Sequence, residues 1–587
     1  MKYTRHSTGE DQLFDLQADP DETVQRTLTA EDVGNQDISW PSDNSPNARW
    51  SIYTRGNVGE VYPDVVLPLE WAIGGPTAEA AWRDGAEHIG FLTKSDYGDG
   101  DMVVIGVFGG YAYFNASLMR LLGVRTPTLA VDVIDTQFLG EADVPPYVPR
   151  KGDRNLVATA RMIRTAIKTL TAKKAPLLDE MRRTAQQMRD AAPPIDSPDD
   201  VLWDYARNQF TKPYRFLLSS HVINTMQATI ASGALTDLCE KKLGDPNLAV
   251  ALTAGIGNVV SAEPAREMWR LANQTDASVF DAEFAAFIGR HGHRGPNEFS
   301  LMGRDWEAFP ELAHAAINNM RGVDTNRSPE AQERRVALAQ REALEHAHAK
   351  LGRRSKRLDK AIANTALWSR AREESKSEVI RGTQPVRHTY LELVRRAAER
   401  GGVLDREGPL LLDEAEFLSY LADPKPLVPL IEERRHDLEV LRGLEPPFAF
   451  DATSVPGPRT ANAPGTSTWN RRRTEGASAK SGDVLHGAAG APGVARGRAR
   501  VLTDPSDPTA LEPGDVLIAP LTDPSWTPLF IPAAAVIVEV GAAMSHSMIV
   551  SRELGIPCVV GVADATLTIP DGAEVEVDGQ AGTVTLL

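Results

Sequence analysis

The hydrophobic pattern divides the chain into a long helical region and a shorter C-terminal region of strands and helices. From about residue 155 to about residue 445, apolar residues recur every three or four positions with charged residues between them, as in NLVATARMIRTAIKTL. This period predicts a succession of amphipathic helices. Residues 331–381 show the same period, and the glycine at position 352 predicts that they form two helices.

Residues 483–587 show the pattern of a compact α/β domain. The β-branched residues 534–540 predict a strand, which leads through a loop of small residues into a helix from about His546 to Gly555. Closer to the C-terminus, apolar and polar residues alternate in AEVEVDGQAGTVTLL, which predicts two half-buried strands joined by a glycine turn.

Composition separates these regions and suggests the domain boundaries. A chain of 587 residues is too long for a single core. Residues 446–482 are rich in Pro, Gly, Ser and Thr without a period, which predicts a flexible linker. We therefore expect a multidomain protein: an N-terminal segment at 1–100 that leads into a large, mainly α-helical domain at 101–445, the linker at 446–482, and the α/β domain at 483–587.

Charge and cysteine content narrow the classes of function. The chain has 63 basic and 80 acidic residues, a net charge of -17, which argues against binding to nucleic acid or an anionic membrane through bulk electrostatics. Cys239 and Cys558 lie far apart without metal-ligand spacing, so we expect neither a disulfide framework nor a zinc site. The sequence contains no N-terminal signal region and no apolar run long enough for a bilayer, and we expect a cytoplasmic protein.

His546 falls where the predicted loop becomes a helix, and this position suits phosphate chemistry. Free backbone N–H groups and the positive end of the helix dipole meet at a helix N-terminus, so a phosphate held there is stabilised. An imidazole at such a point can accept a phosphoryl group on a ring nitrogen. For a lone histidine, a simple role in capping a turn would be the preferred interpretation.

A second polar segment, HGHRGPNEFSLMGRDWEAFP at residues 291–310, interrupts the helical pattern. Glycine and proline break the period there, and a loop of this kind within a helical bundle tends to line a cavity. Arg294 is suited to hold a phosphoryl oxygen, and His293 or Glu298 could accept a proton from an attacking hydroxyl. A buried polar network that only stabilises the bundle explains the same residues equally well. We expect no metal site, because the histidine pair has no third ligand nearby.

The stretch from Gly541 to Val562 is similar to the phosphohistidine motif in the mobile, swivelling domain of the phosphoenolpyruvate-utilising enzymes. That family includes phosphoenolpyruvate synthase, pyruvate phosphate dikinase and rifampicin phosphotransferase. Two residues depart from its pattern, Ala542 and Met544, where a second glycine and a threonine are usual. The residues that match are Gly541, Ser545, His546, Arg552, Glu553, Gly555, Ile556, Pro557, Val559, Val560 and Gly561.

This resemblance assigns a function to the C-terminal domain. It implies that residues 483–587 form a swivelling phosphohistidine domain in which His546 is phosphorylated. By the same resemblance, Ser545, Arg552 and Thr527 are expected near the phosphohistidine.

Two earlier regions resemble the substrate domain of the same family. One contains Asn57, Gly59, Glu60, Pro63, Pro68 and Leu69 and is followed by a strand-to-helix segment at 108–119; the other is the Gly-His-Arg-Gly signature at 292–295. The resemblance implies that the helical domain binds the phosphoryl acceptor. The expected catalytic residues there are His293, Arg294 and Glu298, and the expected substrate-binding residues are Asn57, Glu60, Arg372 and Lys376.

The resemblance also implies a partner. Full-length relatives carry an ATP-grasp domain, which loads the histidine from ATP, and we recognise neither that domain nor a glycine-rich phosphate loop in this sequence. The chain is therefore similar to the two-component phenylphosphate synthases and the benzyl or cresyl phosphate synthases of aromatic compound catabolism. On this basis we expect a hetero-oligomer with a separate ATP-grasp subunit, which binds ATP and Mg²⁺, while this chain holds no tightly bound cofactor and no metal.

The function expected from the sequence is that of the phosphohistidine-carrying subunit of a dikinase-type phosphotransferase. Its acceptor would be a hydroxyl of a small aromatic alcohol or phenol, with AMP and phosphate as co-products. Phosphorylation of a rifampicin-like antibiotic or of pyruvate remains an alternative with the same chemistry. A non-catalytic phosphocarrier or regulatory protein is an alternative of a different class.

Overall fold

The structure is a computed structural model. It describes residues 38–47, 49–97, 102–126, 130–140, 142–245, 248–253, 263–321, 323, 325, 328–453, 469–471, 478–503, 510–522, 526–540 and 546–587. Residues 1–37 of the predicted N-terminal segment and most of the predicted linker lie outside these ranges.

Helices dominate the first three quarters of the chain, and short strands appear at both ends. The helices are α1 Val58–Val61, α2 Pro68–Ile89, α3 Lys94–Tyr97, α4 Ala116–Arg125, α5 Val131–Phe138, α6 Leu156–Thr171, α7 Leu178–Asp190, α8 Asp199–Gln209, α9 Lys212–Leu243, α10 Leu248–Thr253, α11 Glu263–Ala272, α12 Ala277–His291, α13 Pro310–Asn319, α14 Pro329–Leu351, α15 Ser355–Glu399, α16 Glu414–Ala422, α17 Val428–Arg442, α18 Thr527–Phe530, α19 His546–Leu554 and α20 Ala565–Thr568. The strands are β1 Ile52–Thr54, β2 Ile105–Phe108, β3 Tyr111–Asn115, β4 Leu444–Glu445, β5 Ala449–Asp451, β6 Asn470–Arg471, β7 Val484–His486, β8 Ala488–Ala491, β9 Val494–Val501, β10 Val516–Ala519, β11 Ala535–Val538, β12 Cys558–Val560, β13 Glu574–Asp578 and β14 Thr583–Leu586.

Two long helices form the centre of the helical body. α9 has 32 residues and α15 has 45, and they pack against each other along much of their length. The predicted division of residues 331–381 near position 352 is confirmed, because α14 ends at Leu351 and α15 begins at Ser355. Polar caps begin several helices: the side chains of Asn155, Asp276 and Ser328 each accept a hydrogen bond from the first turn of α6, α12 and α14.

A small antiparallel sheet lies beside the helical body, with the strand order β2-β3-β1-β5. β5 comes from residues 449–451, inside the segment that the sequence assigned to the linker. That boundary was set too early, because Phe450 is buried and packs against Tyr53 and Phe108 in this sheet. A three-residue strand within a proline-rich stretch is too short to give a periodic signal.

The C-terminal domain is built on an eight-stranded sheet with the order β7-β14-β13-β9-β10-β11-β12-β8. Strands β9 to β12 run parallel, and β10, β11 and β12 are buried throughout. The hairpin predicted from the alternating C-terminal residues is present as β13 and β14. The predicted helix is also confirmed: α19 begins at His546 and stops before Gly555, which has φ 62°. The chain thus combines a mainly helical body with a C-terminal α/β domain, as the sequence predicted.

One apolar cluster crosses the boundary between the helical body and the C-terminal domain. Trp269 and Trp306 of the helical body belong to the same buried cluster as Phe530 of the C-terminal domain. The side-chain amide of Asn319 adds a hydrogen bond of 3.0 Å to the carbonyl oxygen of Leu511. The C-terminal domain is therefore docked against α11, α12 and α13.

The phosphohistidine helix of the sequence analysis, α19, takes part in this docking. α19 packs against α14, and a Cβ added to Gly555 at its end would come within 3.0 Å of Val336 Cγ2. A side chain at this position would therefore separate the two helices, which explains why a glycine suits the end of α19.

Candidate functional site

The polar loop between α12 and α13, residues 292–309, lies along α15 and is held in shape by its own backbone. The amide of Trp306 donates to the carbonyl of Arg294 at 2.8 Å, and the amide of Glu307 donates to that of Gly292 at 2.9 Å. A Cβ on Gly295 would stand 2.1 Å from the carbonyl oxygen of Arg304, so only glycine allows the two arms of the loop to meet. The loop therefore presents its side chains from a fixed backbone.

A buried carboxylate fastens this loop to α15. Asp305 accepts hydrogen bonds from Gln384 at 3.0 Å and from Arg387 at 3.2 Å, and it lies 3.0 Å from His388 Nε2. Burial alone would raise the pKa of Asp305, but His388 and Arg387 outweigh it and hold that pKa below its usual range. Asp305 is thus an ionised anchor, which places the other end of the loop beside the middle of α15.

Two serines of α15, Ser375 and Ser377, meet two histidines from elsewhere in the fold. Nδ1 of His221, on α9, lies 2.9 Å from Ser375 Oγ, and Nε2 of His293, in the loop, lies 3.1 Å from Ser377 Oγ. Successive side chains on a helix point about 100° apart. The two histidines therefore flank Lys376, one on each side.

A carboxylate lies between two of the cations at this place. Glu298 accepts a hydrogen bond of 3.0 Å from Arg294 Nη1, and its other oxygen lies 3.6 Å from Lys376 Nζ. The Glu298 side chain is only 1% exposed, and among the described residues its Oε1 has no hydrogen-bond partner. The ammonium of Lys376 also lies 5.3 Å from the ring centre of Phe299. Glu298 keeps both cations in place but leaves part of its own bonding capacity unused.

We call this group the Lys376 site, and it consists of Arg294, Glu298, Arg372 and Lys376, flanked by His221 and His293. Arg372 lies one turn before Lys376 on α15, 3.8 Å from the carboxylate of Glu373. Cations outnumber carboxylates within the site, and the arginine and lysine side chains are partly exposed on α15. Such an arrangement suits an anion with several oxygens, such as a phosphoryl group.

Both flanking histidines are uncharged at neutral pH. Burial, followed by the charges of Arg372 and Lys376, lowers the pKa of His221 to about 3. Burial and the neighbouring Arg294 lower the pKa of His293 well below its usual value. A neutral imidazole beside a phosphate-binding group can accept a proton.

The docked C-terminal domain approaches this site through α19. Glu553, near the end of α19, lies within electrostatic range of Arg266 of α11, Glu333 of α14 and Glu373 of α15. Burial raises the pKa of Glu553 to about 7; Arg266 opposes this rise, whereas Glu333 and Glu373 add to it. Since the charge of Glu373 acts on Glu553 and Glu373 is the neighbour of Arg372, the end of α19 lies within electrostatic range of the part of α15 that carries the Lys376 site, while α19 itself packs on α14.

The residues expected near the phosphohistidine are found in different settings. His546 is the first residue of α19, but its side chain lies outside the described residues, and so does the whole of Ser545. Arg552 turns into its own domain, where Nε donates to the carbonyl of Gly490 at 2.8 Å. Thr527 is buried at the start of α18. Their proximity to His546 stays a prediction.

The N-terminal residues expected to bind substrate are not joined to the Lys376 site by any described contact. Asn57 is exposed and precedes α1 with φ 78°, a left-handed conformation that asparagine tolerates. Glu60 belongs to α1, and its side chain is outside the description. In contrast, Arg372 and Lys376 join the loop residues His293, Arg294 and Glu298 in one place.

Sequence reasoning missed His221 and the two serines. His221 lies within a long helical pattern with no neighbouring motif, and Ser375 and Ser377 are ordinary residues on a charged helix. Only the packing of α9 on α15 brings them together.

Among the residues that the structure describes, no group of three or more His, Cys, Asp or Glu side chains could hold a metal ion. Within that same part of the chain, every helix is too short or too polar to cross a bilayer.

Two regions of the chain match the sequence models of known protein families. Residues 511–582 match the mobile domain of PEP-utilising enzymes, and residues 220–279 and 274–373 match the rifampicin phosphotransferase fourth domain. The first match contains α19, and the second contains His221, the polar loop and Arg372. These matches confirm the resemblance that the motif around His546 and the Gly-His-Arg-Gly loop predicted.

Individual proteins are also similar to this chain. A rifampicin phosphotransferase of Streptomyces sviceus is 26% identical over 521 residues, which cover 80% of this chain and 56% of that protein. The prodigiosin synthesizing transferase PigC of Serratia marcescens is 30% identical over 52% of this chain and 33% of its own length. An uncharacterised protein of Mycobacterium tuberculosis is 30% identical over 55% of this chain and 33% of its own length. The chain thus spans between about a third and about half the length of these relatives.

Proposed function

Because this chain is related to the PEP-utilising enzymes through its helical body and its C-terminal domain, we propose that it is a phosphotransferase. His546 carries a phosphoryl group on a ring nitrogen, and the group passes to a hydroxyl of an acceptor bound at the Lys376 site. The observation that carries this proposal is the docking of α19 on α14, which brings Glu553 within electrostatic range of Glu373, the neighbour of Arg372 on α15. The helix that begins at His546 is thereby held near the part of α15 that carries Arg372 and Lys376.

The transfer step needs charge neutralisation and positioning more than covalent chemistry. The phosphoryl group passes through a loose transition state with negative charge on its equatorial oxygens. Arg294, Arg372 and Lys376 supply three cations against the two carboxylates of Glu298 and Glu373, and the partial burial of the site strengthens their attraction for those oxygens. The P–N bond to His546 breaks, its electron pair returns to the imidazole, and the acceptor oxygen forms the new P–O bond.

The proposed source of the phosphoryl group is ATP bound by a separate ATP-grasp subunit together with Mg²⁺. ATP gives up its β-phosphate to His546, so that AMP and inorganic phosphate are the co-products. The C-terminal domain then swivels between that subunit and the helical body. The support for this part is the resemblance of the C-terminal domain to the mobile domain of PEP-utilising enzymes.

The proposed acceptor is a small aromatic alcohol or phenol. In support, the ring of Phe299 lies beside Lys376, and the apolar residues Leu301 and Met302 follow in the same loop. An aromatic acceptor could stack on such a surface while its hydroxyl faces the cations. A rifampicin-like antibiotic is the second candidate, favoured by relatives that are named rifampicin phosphotransferases.

A transfer assay that does not depend on the loading partner tests this proposal. The chain is phosphorylated with phosphoramidate, a small-molecule phosphoryl donor, and is then incubated with phenol, benzyl alcohol, rifampicin or pyruvate while mass spectrometry follows the products. Lys376→Met should slow transfer by about 100-fold or more, as expected for the loss of one preorganised charge. Lys360→Met, which removes an exposed lysine from the same helix, should have no effect. Equal rates for the two variants would contradict a phosphoryl-binding role of the Lys376 site.

A further inference from the structure

His221 lies beside the two α15 cations of the Lys376 site, and we propose that it is the general base that removes the proton from the acceptor hydroxyl. This inference rests on the proposed function, because it needs a phosphoryl group delivered to the Lys376 site. It also adds a catalytic residue from α9, an element that contributes no other side chain to the site.

The hydrogen bonds around His221 fix which ring nitrogen is free to act. Ser375 Oγ donates its hydrogen to the carbonyl oxygen of Arg372 at 2.8 Å. That hydroxyl can therefore only accept from His221, so Nδ1, which lies 2.9 Å away, carries the ring proton. The lone pair of the neutral imidazole is then on Nε2. Ser375 is a positioning residue that holds the ring in the tautomer a base requires.

The other two candidates for the base are less suitable. His293 is only 7% exposed and lies within the folded loop, with Arg294 as its charged neighbour. Glu298 is engaged by Arg294 and Lys376, and protonation would release both cations at the moment they are needed. His221 is half-buried, so an acceptor can reach it, and its hydrogen bond to Ser375 leaves the cations of the site undisturbed.

Charge couples the base to the arrival of the phosphoryl group. The groups facing His221 are the guanidinium and the backbone carbonyl of Arg372, which accepts a hydrogen bond from the ring, the ammonium of Lys376 and the hydroxyl of Ser375. Burial and the two cations hold its pKa at about 3. A dianionic phosphoryl group bound to Arg372 and Lys376 offsets their charge and raises the affinity of Nε2 for a proton. His221 is therefore a weak base in the empty site and a stronger one when the phosphoryl group is present.

The complete step conserves atoms and charge. The acceptor oxygen attacks phosphorus as the P–N bond to His546 breaks, and the P–N electron pair returns to the His546 ring, which takes up a proton from solvent and ends as a neutral imidazole. The proton of the acceptor hydroxyl moves to Nε2 of His221. The phosphate ester leaves, and His221 returns its proton to solvent.

Two acceptors of different acidity distinguish a base from a structural histidine. In mildly alkaline buffer 4-nitrophenol is largely ionised and needs no base, whereas benzyl alcohol must lose a proton during the transfer. With the chain phosphorylated by phosphoramidate, His221→Gln should slow transfer to benzyl alcohol by about 100-fold but leave transfer to 4-nitrophenol nearly unchanged. His436→Gln, which alters an exposed histidine on α17, should affect neither acceptor. Equal losses for both acceptors, or no loss for benzyl alcohol, would overturn the inference.

Further measurements cover the remaining outcomes. If His221→Gln does not fold, Ser375→Ala replaces it, and the same selective loss with benzyl alcohol is expected on a smaller scale. Water is an acceptor in every assay, so phospho-His546 should also decay more slowly in His221→Gln than in the wild type, and an unchanged decay would count against His221.

If the wild type transfers its phosphoryl group and His221→Gln transfers it at the same rate, only the role of His221 fails. If His546 takes up no phosphoryl group at all, the proposed function fails and this inference fails with it.

Discussion

Glu553 provides the sharpest prediction about how the two parts of the chain hold together. This carboxyl group belongs to the C-terminal domain, and docking on α14 buries it within electrostatic range of Arg266, Glu333 and Glu373 of the helical body. Its pKa is raised from 4.5 to about 7 in the docked state. A raised pKa means that docking takes up a proton, so the docked state is favoured at low pH and loses stability as the pH rises from 4.5 through 7.

The size of the effect follows from the two pKa values. A difference of about 2.5 pKa units corresponds to roughly 3 kcal/mol when the group is fully ionised. By proton linkage, Glu553 should weaken docking roughly fourfold at pH 5 and roughly 300-fold at pH 8, relative to a side chain that cannot ionise. Because the side chain is partly exposed, these values are upper limits, and we expect at least about a tenfold effect at pH 8.

Hydrogen exchange of α11, which the C-terminal domain covers, measures this docking. Glu553→Gln removes the charge, so at pH 8 the amides of residues 263–272 should exchange at least about tenfold more slowly than in the wild type. At pH 5 the two proteins should differ only by a few-fold, and comparison at equal pH cancels the intrinsic pH dependence of exchange. Glu574→Gln, on an exposed position of β13, is the control. A ratio between variant and wild type that is the same at both pH values would refute the reasoning.

Two further predictions concern stability and the loop. Asp96→Ala leaves Arg125, which is fully buried and bonded to that carboxylate at 2.7 Å, without its partner, so it should cost about 3–5 kcal/mol of unfolding free energy in a denaturant titration. A loss below about 1 kcal/mol would contradict this assignment. Gly295→Ala places a methyl group 2.1 Å from the carbonyl of Arg304, so it should force the loop open and reduce phosphoryl transfer by at least about tenfold while far-ultraviolet circular dichroism stays unchanged. Full transfer by that variant would show that the shape of the loop is not required.

The sequence predicted the elements whose signals are local. The 3.6-residue period gave the long helices and the break near position 352, and the alternating residues gave the hairpin β13 and β14. The helix that begins at His546 followed from the boundary between small residues and an apolar-periodic segment. Each of these signals lies within about twenty consecutive residues, which is the range over which periodicity is informative.

Features that depend on contacts between distant segments could not be predicted. β5 is three residues long and is recognised only because it pairs with β1. His221 and Ser375 are 154 positions apart and meet because α9 packs along α15. The surroundings of Glu553 depend on how the C-terminal domain docks, and a motif alone carries no information about docking.

The residues of the candidate site also fall into two groups: those that the sequence identified, and those that only the packing of distant segments brings together. The loop residues His293, Arg294 and Glu298 were identified from composition and family resemblance, and the structure brings them together with Lys376. Asn57 was grouped with them through the resemblance alone, and no described contact joins it to that site. Resemblance therefore located the polar segments, whereas the packing of helices decided which of their side chains act in one place.

The position of the phosphoryl group is the most direct test of the central claim. The chain should be incubated with phosphoramidate, digested under alkaline conditions that preserve phosphohistidine, and analysed by mass spectrometry beside His546→Ala. We expect one acid-labile phosphoryl group on the peptide that contains His546, its absence in the variant, and its loss from the wild type when an acceptor is added. Equal labelling of the wild type and His546→Ala would contradict the claim that this histidine carries the phosphoryl group.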